Sequence, residues 1–124
     1  MSGDITTEAV RLALGMQNMR ARVDSLNIAN ASMTDARVQR MDFAAAQAAL
    51  DSAVPVDADG TDAMTNLQRA DHGLRGLSAT TTTEPIQLDA QVADMVSAGA
   101  DYQALSDMLS RHLGLMRLAV TGKD

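Results

Sequence analysis

Apolar or small side chains recur along the N-terminal quarter of the chain at Ile5, Ala9, Leu12, Met16, Met19, Val23, Leu26, Asn30 and Met33, with steps that alternate four and three. That alternation is the heptad signature of a helix carrying one continuous seam. Strands need period two, so the pattern excludes a sheet here. Asp4 is expected to cap the start and Glu8 to suit the first turns. A helix from about Ile5 to Asn30 is roughly 40 Å long at 1.5 Å per residue.

The C-terminal third repeats the design at Leu88, Val92, Met95, Gly99, Tyr102, Ser106, Leu109, Leu113, Met116 and Val120. Thr83 and Glu84 before Pro85 read as a helix start, and Gly122 as its end. A second stripe runs beside that seam through Leu105, Met108, His112, Leu115 and Ala119. One partner helix covers one stripe, so the other is free for further copies or partners. Composition agrees: 46% of residues are hydrophobic, yet Phe43 and Tyr102 are the only aromatics. The apolar mass is Ala, Leu, Met and Val, which suits helices packed along their length.

Between the two patterns the chain turns polar. "DFAAAQAALDSA", residues 42–53, predicts a short helix capped by Asp42. Residues 54–83 read as loop or weak structure, with room for one short helix around Asp62–Arg69, and the run Thr80–Thr83 reads as an extended linker. The expected fold is all-α: long N- and C-terminal helices in an antiparallel coiled-coil hairpin with a loop-rich middle. Residues 1–33, 34–85 and 86–122 are then three parts of one structural unit.

Sites for chemistry are few. "DADGTD", residues 57–62, fails as a calcium loop, because placing Gly60 sixth puts Pro55 first and Asn66 twelfth. His72 falls in a polar stretch and His112 on the second stripe, with neither paired to a ligand at helical spacing. No nucleophile stands in a strand-turn-helix setting. The expectation is therefore no catalytic residue, no metal and no cofactor. A net charge of −6 speaks against nucleic acid, and no apolar run reaches the ~20 residues of a membrane span. The absence of cysteine leaves cytosol and oxidising compartments both open. "MSGDITTEAV" lacks the basic and apolar regions of a cleaved secretory signal.

The asparagines of "SLNIANAS" pose the sharpest local question. On the heptad, Asn30 takes a seam position between Leu26 and Met33 and would fix register, while Asn27 faces away toward a loop or a neighbouring backbone. The alternative is that Asn30 only caps the helix end.

Asn27-Ile28-Ala29-Asn30 resembles the N-terminal signature of the flagellar basal-body rod and hook family, whose helix closes on Asn-Ile-Ala-Asn before Thr-Pro-Gly-Tyr-Lys. Asp42-Phe43 falls where that family often carries Asp-Phe. The stretch from Glu84 to Gly122 is similar to the closing helix of the proximal rod members, with Tyr102-Gln103-Ala104 matching their Tyr-Gln-Ala. Met33, Thr34, Asp35 and Ala36 replace the Thr-Pro-Gly-Tyr turn, so nothing in this chain forces a sharp stop after Asn30.

The resemblance implies a non-enzymatic axial subunit of the rod, exported through the type III export gate without a cleaved signal. Its implied partners are copies of itself, other rod subunits, and the adaptor joining the rod to the MS ring. The implied assembly interface comprises Leu12, Met16, Met19, Val23, Leu26, Asn27 and Asn30 on the first helix. On the last helix it comprises Met95, Tyr102, Leu105, Met108, Leu109, Leu113, Leu115 and Met116. A cytosolic helical adaptor or secretion chaperone would show the same heptads, and so would a divergent rod-like subunit of another type III secretion apparatus.

Overall fold

The computed structural model describes residues 2–53 and 60–122, and within them the chain is mostly helical. The first helix, α1, runs Ser2–Asn30, and the last, α4, runs Leu88–Thr121. Between them lie β1 (Arg37–Arg40), α2 (Ala44–Ala53), α3 (Gly60–Arg75) and β2 (Thr80–Pro85). The two long helices stand where the heptads place them. α1 begins upstream of the expected Asp4 cap.

The polar middle departs from expectation. The short helix allowed around Asp62–Arg69 is present and runs longer, as a four-turn helix over residues 60–75. Asp62 sits in its first turn and Arg75 in its last, which suits the helix dipole at both ends. The part of the expected loop at 54–59, including most of "DADGTD", lies outside the described residues. The threonine run is a strand and not a linker, so the chain is not all-α. β2 pairs antiparallel with β1, matching Arg40 to Thr80 and Gln39 to Thr81, with a bulge before Arg37 meets Pro85. β-branched threonines fit a pleated edge, and their hydroxyls help hold it: Thr82 Oγ1 donates to the Val38 carbonyl at 2.8 Å.

Because Glu84 and Pro85 belong to β2, α4 starts later than the Thr-Glu-Pro sequence suggests. Gln87 is its extended N-cap residue, and no side chain caps it. Two expected boundaries stand. Asp42 Oδ1 accepts from the Ala44 N–H at the start of α2, and Gly122 closes α4 with its N–H donating to the Leu118 carbonyl.

α1 stops after Asn30 without Pro-Gly. The Met33 N–H donates to the Asn30 carbonyl and the Ala36 N–H to that of Met33. Asp35 then takes the left-handed conformation with φ 61°, which short polar side chains tolerate, and redirects the chain into β1.

The core sits under α1, α2 and α3. Leu12, Met16, Ala46, Ala49, Leu67 and Leu74 are its buried members, with Ile5, Ala9, Met19 and Phe43 packed around them. α3 approaches α1 closely at Gly15, where a β-carbon would stand 3.0 Å from Leu74 Cδ2. The first half of the N-terminal heptad seam thus faces α2 and α3. α4 supplies no member of this cluster; it lies along another side of α1.

Candidate functional site

Two features of the α1–α4 pair stand out: a polar joint between the helices, and large apolar side chains left exposed on α4.

The joint is built from side chains that point off the heptad seam. Arg20 Nε donates to both oxygens of Asp94, at 3.1 and 2.9 Å, and its Nη1 lies 3.6 Å from Asp101. Seven residues further along α1, Asn27 is 1% exposed and uses its whole amide. Its Nδ2 donates to the Gln39 carbonyl and to Gln91 Oε1, both at 3.0 Å, while its Oδ1 accepts from the Gln39 N–H at 2.9 Å. The side chain therefore acts as a further strand for β1 and as a tie to α4. The residues run in opposite order along the two helices, Asn27 with Gln91 and Arg20 with Asp94 and Asp101.

Between these ties Asp24 is buried, and its Oδ2 has no hydrogen-bond partner. Removal from water, reinforced by the neighbouring Asp94, pushes its carboxyl up to about 7. The Arg20 hydrogen bond holds Asp94 below the usual carboxylate range, and that bond in turn raises Arg20. At mildly acidic pH Asp24 therefore keeps its proton while Asp94 is ionised beside Arg20. A cavity of about 300 Å³ opens beside it, lined by Arg20, Asp24, Gln39, Arg40, Gln91 and Asp94. Two neighbouring aspartates beside an arginine are an acid–base arrangement. Their partners here are the two helices they join, which makes the group a fastener.

The second feature is the set of large apolar side chains exposed on α4. Leu88, Val92, Val96, Tyr102, Met108, Leu113, Leu115, Leu118 and Val120 are all exposed, and Ala98 is the one residue of the helix buried outright. The side chains turned toward α1 are Gln91, Asp94, Met95, Ala98, Leu105, Leu109, His112 and Met116, which are buried or half-buried. This inward row draws from both expected stripes. It takes Met95, Leu109 and Met116 from the first, and Leu105 and His112 from the second.

The interface residues implied by the sequence consequently divide. Leu12, Met16 and Met19 pack in the core, and Asn27 is buried in the polar joint. Val23, Asn30, Met95, Leu105, Leu109 and Met116 are half-buried. Leu26, Tyr102, Met108, Leu113 and Leu115 are exposed. Asn30 is the last residue of α1, so the buried amide is Asn27, three residues before the heptad position expected to hold it.

Sequence reasoning passed over Asp24, Asp94 and Gln91. The available signal was Arg20 and Asp24 one turn apart on α1. His72 is exposed on α3 and His112 half-buried on α4. Among the described residues no group of three or more His, Asp or Glu side chains is placed to hold a metal ion. No helix among them is long and apolar enough to cross a membrane. Comparison with protein-family models, curated proteins and solved structures found no match.

Proposed function

We propose that this chain is a non-enzymatic structural subunit of the bacterial flagellar basal-body rod, its terminal helices forming an antiparallel coiled-coil hairpin that packs against neighbouring subunits. One observation carries the reading: large apolar side chains stay exposed along the whole length of α4, from Leu88 to Val120. So many exposed large apolar side chains on one helix are unfavourable on an isolated molecule and favour contacts with other chains. The pairing of α1 with α4 through Asn27 and Arg20 supports the hairpin. The resemblance at Asn27–Asn30 and Glu84–Gly122 supplies the assignment to the rod. On this reading the chain leaves through the type III export gate. It then assembles in the periplasm-spanning rod with copies of itself, other rod subunits and the MS-ring adaptor.

Basal bodies purified from the encoding bacterium, with the chain carrying an epitope tag, test this directly. The tag is expected to co-purify with the rod, and deletion of the chain to abolish motility. Recovery as a closed cytosolic dimer would overturn the reading in favour of a helical adaptor or secretion chaperone. Recovery with the needle of another type III apparatus would move the same architecture to that machine.

A further inference from the structure

We infer that the joint between α1 and α4 is a proton-operated latch: it is closed while Asp24 is neutral, and the N-terminal half of α4 opens away from α1 when Asp24 ionises. Asp24 is 6% exposed, sits where α1 meets both α4 and β1, and leaves its Oδ2 buried without a hydrogen-bond partner. Such a carboxyl is tolerated as the neutral acid and is costly as an anion, because neither water nor a donor reaches the buried oxygen. Arg20, one turn before it on α1, is already engaged. Its hydrogen bonds go to Asp94 and Gln17, and Asp101 lies 3.6 Å from its Nη1.

The other charged groups nearby do not compensate the anion. α4 presents two further carboxylates, Asp94 and Asp101, to the same guanidinium. β1 presents Arg40 to the cavity beside Asp24, but Arg40 is paired with Glu84 of β2. α3 meets α1 elsewhere: its Asp71 and Arg75 pair with each other and line a cleft with Glu8, Arg11 and Arg22. Asp51 of α2 is exposed and bonded to Gln47. An ionised Asp24 thus puts three carboxylates around the single guanidinium of Arg20.

Burial, and then the neighbouring Asp94, push the Asp24 carboxyl up to about 7, whereas the Arg20 hydrogen bond holds Asp94 low and ionised. In an opened joint Asp24 is hydrated and titrates in the ordinary carboxylate range, so the closed joint binds its proton more tightly. Closure is therefore favoured most near pH 4–5, loses ground as pH rises toward 7, and is weakest above it. The effect is local. The ties at stake are those of Asp94 and, one turn earlier, of Gln91 to Asn27, while the core of Leu12, Met16, Ala46, Ala49, Leu67 and Leu74 contains no titratable group. The latch belongs to the single chain, whatever its neighbours are, and decides whether the α1-facing side of α4 around Met95 and Ala98 is covered or presented.

Hydrogen exchange on the wild-type chain at pH 5 and pH 8, corrected for intrinsic rates, is expected to show protection of residues 88–101 lower by about tenfold or more at pH 8, with residues 63–74 changing less than about threefold. Asp24→Asn, neutral at both pH values, is expected to abolish the difference. The chain has no native cysteine, so spin labels at Ser25→Cys and Ala93→Cys, both exposed positions, read the opening as a distance. One narrow distribution is expected at pH 5 and a longer, broader one at pH 8. Equal protection of residues 88–101 at both pH values overturns the latch, and so does a loss shared equally by residues 63–74, which is global unfolding. A difference that survives Asp24→Asn also overturns it and moves the titration elsewhere, as to His112, which stands eighteen residues beyond Asp94 on α4, roughly 27 Å along the helix. Where Asp24→Asn does not fold, the spin-label pair decides, and a distance unchanged between pH 5 and pH 8 overturns the latch.

Discussion

α1 and α4 carry the same heptad code and have different fates. α1, with 29 residues, has α2 and α3 on one side and α4 on another, so Leu12 and Met16 are buried and even Asp24 and Asn27 are enclosed. α4, with 34 residues, has α1 alone among the helices, and Leu115 is 65% exposed. A heptad states that a helix has an apolar stripe. How many neighbours cover it depends on the rest of the chain.

The largest expected effect separates the two helices outright. Leu12→Ala and Leu67→Ala, each removing a fully buried side chain, are expected to cost about 2–5 kcal/mol in chemical denaturation. Leu115→Ala in the isolated chain is expected to stay within about 0.5 kcal/mol. Equal losses at Leu12 and Leu115 would break the contrast, since α4 would then be covered in the monomer.

Next comes pH. The Asp24 carboxyl titrates near 7 in the folded chain against an ordinary value of 3.8, so the folded state holds a proton that the unfolded state has released. Its contribution is full below pH 4, falls as pH rises from 4 to 7, and is gone above that, a change of up to a few kcal/mol. Asp94, shifted downward, acts in the opposite sense: its contribution is present above its ordinary value and lost as pH falls below it. Denaturation midpoints at pH 4.5 and 8 are expected to show greater stability at the lower pH, and Asp24→Asn to flatten the difference.

Asn27→Ala comes third. It leaves the Gln39 N–H, the Gln39 carbonyl and Gln91 without their partner, at about 1–3 kcal/mol. Hydrogen exchange is expected to rise in β1 and in the first half of α4 while Leu67 and its neighbours stay protected. A uniform rise would mean that the joint and the core are one cooperative unit.

The helix ends give the smallest effects. Asp35→Gly relieves the left-handed residue after α1 and is expected to be neutral or stabilising by up to about 1 kcal/mol, whereas Asp35→Val is expected to destabilise by about 1–2 kcal/mol. At the end of α4, a β-carbon on Gly122 would meet the Leu118 carbonyl oxygen at 2.7 Å. Gly122→Ala is expected to fray the last turn with no shift in global midpoint, as amide exchange of residues 118–121 would report.

The sequence made the two long helices legible because their patterns span many turns, and the Asp42 cap because its chemistry is local. β1 and β2 were hidden by length: Arg37–Arg40 is too short to display a period, and a threonine run is equally at home in an extended linker. α3 was masked by a segment opening with Gly, Thr and Asp. The position of the buried amide was missed for a geometric reason. A strict seven-residue repeat drifts by about 20° per heptad on a straight helix. The stripe that is buried at Leu12 has therefore turned to solvent by Leu26, and the row through Asp24 and Asn27 has turned inward.

The tie between Asn27 and Gln39 joins residues 12 apart, while those from Asn27 to Gln91 and from Arg20 to Asp94 join residues 64 and 74 apart. Closing the short loop is the easier event, and the long ties gain nothing until most of the chain has been gathered. The joining of α1 to β1 is accordingly the easiest closure, and the ties that hold α4 close the longest loops of the joint. Under tension applied at the C-terminus, α4 is also the first to peel away, uncovering the opposite side of α1 while the core beneath it holds.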